Sequence, residues 1–369
     1  MPSVLNRVAL GLAIAVGVYA AVLGALLTPY LQRFALYAHK INTLFLHDID
    51  SGEQFGFAKN QVTPFNIRTP NDETLYAWHV LPIDVYARNE RSLLEEKRSD
   101  GMVQDFTTTE AFRLLTSDDT PNTHVLTIDY RGFGKSTGSP TEAGLITDGV
   151  ALVNWVLHVA KIRPERIVIL GQSLGTAVAA AVALEFANPG HVKEEEGDRK
   201  KPLLQSGISD VTHPATFAGI IIVAPFYDLP SLLLTYRIGG FLPLLLPLRP
   251  FPSLARMLTS RVADTWPTAE RLAAHYASSN NNVGARSTLG SLQVMHAVDD
   301  GDISFLQTGM ICRRMLGAKC VGLESPAVVD VKEKGRPRVR VEILKYGGHN
   351  RIVTYSPVAA AVLRAFEGL

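Results

Sequence analysis

Three short stretches of this chain carry side chains that could act together on an acyl carbonyl. The first is Gly171-Gln172-Ser173-Leu174-Gly175, a Gly-x-Ser-x-Gly pattern. It closes an apolar run, Arg166–Gln172, and opens a small-residue segment containing Ala177, Ala179, Ala180 and Ala181. A serine hydroxyl becomes a nucleophile when it stands on a sharp strand-to-helix turn above a sheet. Gly171 and Gly175 are expected to relieve Cβ clashes on either side of that turn. The helix N-terminus aims free N–H groups and positive dipole at a developing oxyanion, and Leu174 N–H is the predicted oxyanion-hole donor. The strand before and the helix after separate this pattern from a structural Gly-Ser turn.

A serine nucleophile needs a base, and the base an orienting acid, in chain order Ser, Asp or Glu, His. Asp299-Asp300-Gly301-Asp302 follows the apolar run Leu292–Val298. His349 follows Gly347-Gly348, just after the run Val339–Lys345. Both positions lie where strands end, which is where open α/β sheets place their sites. His349 is the predicted base. On residue types alone, Asp299, Asp300 and Asp302 compete as the acid, the others being solvated turn residues. His296 sits inside a run and is expected in the core or at an interface.

Those groups need a sheet to carry them. Candidate strands are His124–Tyr130, Arg166–Gln172, Phe217–Ala224, Leu292–Val298 and Val339–Lys345, several of them continuous Val/Ile/Leu runs as in strands covered on both faces. Helical stretches fall between them at Asp148–Ala160, Leu174–Phe186 and Ser356–Phe366. The alternation predicts an α/β fold with a mainly parallel central sheet and helices on both faces. Residues 43–82 read as short edge strands, clearest at Leu75–Leu81. Two segments break the rhythm. His191–Pro214 holds Glu194–Glu196 and Arg199–Lys201 and reads as a solvated excursion. Residues 227–285 read as a cap-like insertion: prolines forbid a long helix, yet the stretch is too apolar for a loop. Its two readings are a cap over the site that touches lipid and a second small core.

The 369 residues balance 36 Lys and Arg against 35 Asp and Glu, a net charge of +1, which leaves no electrostatic footprint for nucleic acid. Hydrophobic residues are 47% of the chain, enough for a large core, and exclude global disorder. Cys312 and Cys320 cannot build a disulfide framework or a four-thiolate zinc site; they read as two buried thiols, with pairing as the alternative. No charge interrupts Val8–Gln32, and Val8–Thr28 is long enough to cross a hydrocarbon core of ~30 Å. This exceeds the ~7–15 apolar residues of a signal peptide, so residues 1–42 are read as an uncleaved single-pass membrane anchor and linker, and 43–369 as the catalytic body. Arg7 on one side and Arg33 and Lys40 on the other leave its orientation balanced.

Asp129-Tyr130-Arg131-Gly132-Phe133-Gly134-Lys135-Ser136, followed by Gly171–Gly175, resembles the α/β-hydrolase superfamily. With the anchor, the chain looks most like its membrane-bound lysophosphatidylserine and monoacylglycerol lipase branch, over roughly Leu75 to the last residue. The resemblance implies Ser173 as nucleophile and His349 as base. A His-Gly-x-x-Asp-x-x-Val segment laid over His296–Ile303 puts the acid at Asp300, with Asp299 as runner-up. It further implies hydrolysis of monoacylglycerols or lysophospholipids at an endoplasmic-reticulum-type membrane, the acyl chain entering beneath a mobile cap, with no cofactor, no metal and no obligate protein partner. One departure stands out. Such hydrolases carry a strand followed by His-Gly, whose loop supplies a second oxyanion N–H. This chain has no His-Gly pair, and between Pro82 and His124 only Met102–Phe106 is apolar enough to suggest a strand. A gap beside the nucleophile turn is therefore expected. The competing expectation is a membrane-anchored hydrolase fold without turnover; a peptidase on the same fold is a weaker third.

Overall fold

The computed structural model describes residues 4–40, 48–96, 105–117, 123–190, 193–196, 199–202, 214–238, 242–243, 245–248, 250–278, 290–323 and 327–367. Two helices lead, α1 (Val4–Ala25) and α2 (Pro29–Tyr37). Then come β1 (Val62–Arg68), β2 (Thr74–Val80), α3 (Ile83–Glu95), α4 (Glu110–Thr116) and β3 (Val125–Ile128). The alternating part runs α5 (Glu142–His158), β4 (Val168–Gln172), α6 (Leu174–Ala187), a β5–β6 hairpin (Lys193–Glu196, Arg199–Pro202) and β7 (Gly219–Val223). Next are α7 (Leu229–Thr235), the two-residue strands β8 (Arg237–Ile238) and β9 (Leu242–Pro243), α8 (Pro252–Thr259) and α9 (Thr268–Ser278). The chain closes with β10 (Ser291–Ala297), α10 (Leu306–Leu316), β11 (Ala327–Val331), β12 (Arg338–Leu344) and α11 (Ser356–Glu367).

The central sheet has the order β11-β12-β10-β7-β4. β4, β7, β10 and β12 are mutually parallel, and β11 joins the edge antiparallel. All five residues of β7 are buried, and successive side chains point to opposite faces. Ile221 and Val223 meet Met295, Val358 and Ala361 on the α11 side. Ile220 and Ile222 meet Ala179, Ala183, Leu272 and Ile311 on the side of α6, α9 and α10. Each of the larger of these side chains, the Ile, Val, Leu and Met, contributes about 1.5–3 kcal/mol by leaving water. α9, inside the segment expected as an insertion, thus belongs to the main core. Gly219 lets α11 approach: an added Cβ would lie 2.5 Å from Ala365 Cβ.

β1, β2 and β3 form a separate antiparallel sheet. Among the described residues neither β3 nor β4 has a strand partner on its outer side, so the strand leading into Ser173 is an edge of the described sheet, on the side where the sequence departure leads one to expect a gap. Their apolar side chains are open there: Val125 is 52% and Leu170 44% exposed. Residues 97–104 lie outside the described residues, so the expected weak strand is seen only at its end, where Asp105 caps a 3₁₀ turn at Phe106.

Several expectations need correction. Cys312 and Cys320 are a disulfide rather than two thiols, their eight-residue separation being spanned by the end of α10 and the turn after it. α5 starts six residues before the predicted Asp148, because Thr141 caps Gly144 N–H and a paired Glu142 is buried in the first turn. β11 escaped the sequence reading, since it is a half-exposed edge strand with an alternating pattern. The acidic and basic runs after His191 are paired as β5 and β6, in a register opposing Glu195 and Lys200. Residues 43–47, 203–213 and 279–289 fall outside the described part, with the portions of the expected edge strands, excursion and insertion that lie on them.

Candidate active site

Ser173 is the residue between β4 and α6. Its backbone, at φ +52° and ψ −122°, occupies a region costly for any side chain other than glycine's. The turn is over-determined: Ser173 N–H donates to Val223 O at 3.0 Å, and Thr176 N–H to Ser173 O at 3.0 Å. Gly171 is required by packing, since an added Cβ would lie 2.2 Å from Gly175 O. Gly175 is not, the nearest atom to its added Cβ being Tyr130 Oη at 4.0 Å. What Gly171 clears is therefore the backbone of Gly175. Leu174 is the first residue of α6, and its N–H is one of the four that a helix start leaves without an intrahelical acceptor.

Asp300 follows β10 and His349 follows β12, neighbouring parallel strands, so both loops emerge at the same end of the sheet as Ser173. Ser173 Oγ lies 2.9 Å from His349 Nε2, and His349 Nδ1 lies 2.8 Å from Asp300 Oδ2. The structure thus brings together Ser173, His349 and Asp300, the three residues expected to cooperate, with Leu174 beside them. Asp299 is turned elsewhere: its Oδ1 accepts Gly348 N–H at 2.8 Å, which fixes the loop carrying His349. Gly347 and Gly348 have φ of +151° and +56°, so the loop exploits both glycines.

Two side chains in this arrangement escaped the sequence reading. His296, expected as a core residue, is buried and places Nε2 3.2 Å from Asp300 Oδ2 and 2.9 Å from Ile303 O. The carbonyl can only accept, so Nε2 carries a proton, while Nδ1 faces Thr308 Oγ1 at 2.8 Å. Its signal was its place at the start of the segment that suggested Asp300. Gln172 donates through Nε2 to His349 O at 2.8 Å, tying the serine strand to the histidine loop; nothing in its residue type announces that.

The electrostatics follow from these contacts. Burial alone would raise the Asp300 pKa, but hydrogen bonds from His296, His349 and Ile303 N–H outweigh it and hold the carboxyl far below its usual range. For His349, burial favours the neutral ring. The Asp300 hydrogen bond and the charges of Asp300 and Asp302 prevail and raise its pKa above 6.5. Asp300, Asp302 and His349 offer ligand atoms within 4.8 Å of one another, a cluster whose members Asp300 and His349 are already engaged by these hydrogen bonds. A cavity of about 440 Å³ opens over Ser173 and His349, walled by Leu174, Phe226, Leu229, Tyr236 and Ile303 and continuing to the end of α1. Its walls are mainly aliphatic and aromatic, the lining of a site for an apolar ligand.

Comparison with known proteins places the fold. A sequence profile of the alpha/beta hydrolase family matches residues 105–362. The chain is 26% identical over 168 residues to the mouse protein named lysophosphatidylserine lipase ABHD12, covering 42% of this chain and 40% of that one. It is 46% identical over 74 residues to human protein ABHD12B, 20% of this chain and 18% of that one. It is 38% identical over 103 residues to the uncharacterized protein YfhR of Escherichia coli O157:H7, 28% of this chain and 30% of that one. The matches span less than half the length of each of these relatives. Among solved structures, an alpha-beta hydrolase from Vibrio vulnificus is similar in fold, with TM-score 0.50 and 14% identity over 92% of this chain and 94% of that one.

Proposed function

The chain belongs to the alpha/beta hydrolase family, and from that premise we propose that it is a membrane-anchored serine hydrolase cleaving the carboxylic ester of a single-chain lipid, a monoacylglycerol or lysophospholipid. The observation that carries the reading is the continuous path Ser173 Oγ–His349 Nε2, His349 Nδ1–Asp300 Oδ2, at 2.9 and 2.8 Å. His349 accepts the Ser173 proton as Oγ attacks the acyl carbonyl, and Leu174 N–H donates to the resulting oxyanion. The imidazolium, held by Asp300, returns that proton to the leaving alcohol as the carbon–oxygen bond breaks. Water, activated by the same imidazole, then adds to the acyl-Ser173 ester and releases the fatty acid. The apolar cavity supports an acyl chain as ligand. The relatives named as lysophosphatidylserine lipases support a lipid ester. α1, 20 of whose residues are apolar enough to cross a bilayer while unburied by the body, supports membrane residence. The resemblance to the lipase branch extends the proposal to the endoplasmic-reticulum membrane.

A second reading, a hydrolase fold without turnover, draws on the edge of β4 that has no strand partner among the described residues, beside which the second oxyanion donor of such enzymes would stand. Removing one such donor costs about 10²–10³ in rate. A fluorophosphonate probe on the purified full chain decides between them. Labelling of wild type but not Ser173→Ala, with Asp300→Asn far more damaging to monoacylglycerol hydrolysis than Asp299→Asn, is the expected result. No labelling of either protein would leave the second reading standing.

A further inference from the structure

The cavity over Ser173 is not closed by the body alone. Leu23, in the last turn of α1, and Leu26 and Leu27, in the turn just beyond it, line the same space as Ser173 and His349. Tyr19 and Leu23, one helical turn apart, pack against Leu245, Leu248, Ala255 and Leu258 around α8. α2 then clamps this corner. Gln32 Nε2 donates to Arg261 O and Gln32 Oε1 accepts Ala263 N–H, both at 2.8 Å. Arg33 binds the buried Asp264 through Nε and Nη2 at 3.0 and 2.9 Å, and Tyr37 Oη donates to the same carboxylate at 2.7 Å. A tether that only holds an enzyme at a surface needs none of these contacts.

On the outside of the same corner, α8 shows Leu254 and Met257, three residues apart, with Phe251 just before them; Phe251 is 60% exposed. These side chains stand on, or just before, the helix that packs against Tyr19 and Leu23 of α1, whose 22 residues are long enough to cross a bilayer of ~30 Å. A lipid surface that receives α1 would also cover this patch, beside Leu23 and Leu258, which line the cavity.

We infer that the anchor helix is a wall of the acyl-binding site: its last turn, with α2 and α8, forms an entrance that opens into the bilayer interface. The ligand is a bilayer-resident amphiphile with one acyl chain, drawn in sideways without crossing water. This rests on the proposed hydrolase reading and assigns Leu23, Leu26 and Leu27 as determinants of chain-length specificity.

The test compares p-nitrophenyl acetate with p-nitrophenyl laurate on the full chain in detergent micelles. Leu26→Trp should lower kcat/KM for laurate by about tenfold or more and leave acetate within about twofold, because the indole fills only the distal cavity. Equal losses on both esters, or none on either, would overturn the inference. A palmitate carrying a diazirine near its methyl end gives a readout independent of turnover. In Ser173→Ala protein, photolabelled peptides should contain residues 23–27; labelling confined to the body would overturn the inference. If wild type cleaves neither ester but labels at residues 23–27, the hydrolase reading fails while the acyl site stands. In lipid vesicles, Phe251→Asp with Met257→Asp should weaken laurate turnover and leave micellar turnover unchanged. Loss of a dimer instead would assign the patch to a second copy and overturn the lipid-surface part.

Discussion

At the scale of single residues, the proposed role of His349 as base makes its imidazole the group that sets how activity responds to pH. Only the neutral ring can take the Ser173 proton, so kcat/KM climbs as pH rises through the His349 pKa, which its contacts with Asp300 and Asp302 hold above 6.5. The same contacts favour the charged ring in the folded state. Their contribution to stability is therefore fully present below the unfolded pKa of ~6.5 and is lost as pH rises through the higher folded value. Asp302 acts on the ring by charge alone, while its backbone N–H reaches Asp300 Oδ1 at 3.0 Å and survives substitution. Asp302→Asn should therefore shift the acid limb of the kcat/KM profile to lower pH with little change in the plateau. An upward shift would remove Asp302 from the field at His349. His296 stands one step further back, as a positioning residue that shares Asp300 Oδ2 with His349.

At the scale of elements, the split sheet is the feature with the largest physical consequence. Among the described residues the outer sides of β3 and β4 have no strand partner and carry exposed apolar side chains, and such edges recruit other chains. Val125→Lys places a charge on the exposed β3 position, which takes no part in the hydrogen bonds of Ser173. It is expected to suppress concentration-dependent association in light scattering while fluorophosphonate labelling persists; unchanged association would mean the edge is already covered in solution. The sequence foretold this gap only through a missing pair, His-Gly, because an absent strand leaves no pattern of its own. Buried strands were legible for the opposite reason: Gly219–Val223 is covered on both faces and must be apolar throughout. β11 was not, since its edge pairs Asp330 with Arg338 and Arg340 and its alternation is short. Ser173 was legible because its turn constrains local sequence. The path from Leu26 to Ser173 was not, because contacts between residues about 150 apart leave no periodicity in either.

At the scale of the whole molecule, the proposed membrane anchor raises the matter of which side of the bilayer the body would occupy. Arg7 before the span is matched by Arg33 and Lys40 after it, and Arg33 is in any case bound to Asp264, so the charge rule does not decide. The Cys312–Cys320 disulfide supplies a separate argument. Paired thiols persist in oxidising compartments and are kept reduced in the cytosol, so under the proposed anchor reading this bond predicts a body on the lumenal or extracellular side. Closing so short a loop restricts the unfolded chain by an amount worth about 2–3 kcal/mol, and its loss would loosen α10 against the core it shares with α6 and α9. In sealed microsomes, protease should therefore leave the body intact until detergent is added, and thiol alkylation of protein denatured without reductant should miss both cysteines. Digestion before detergent would place the body in the cytosol. It would then also require the two cysteines to alkylate freely, since the same reducing environment that admits the protease side would open the bond.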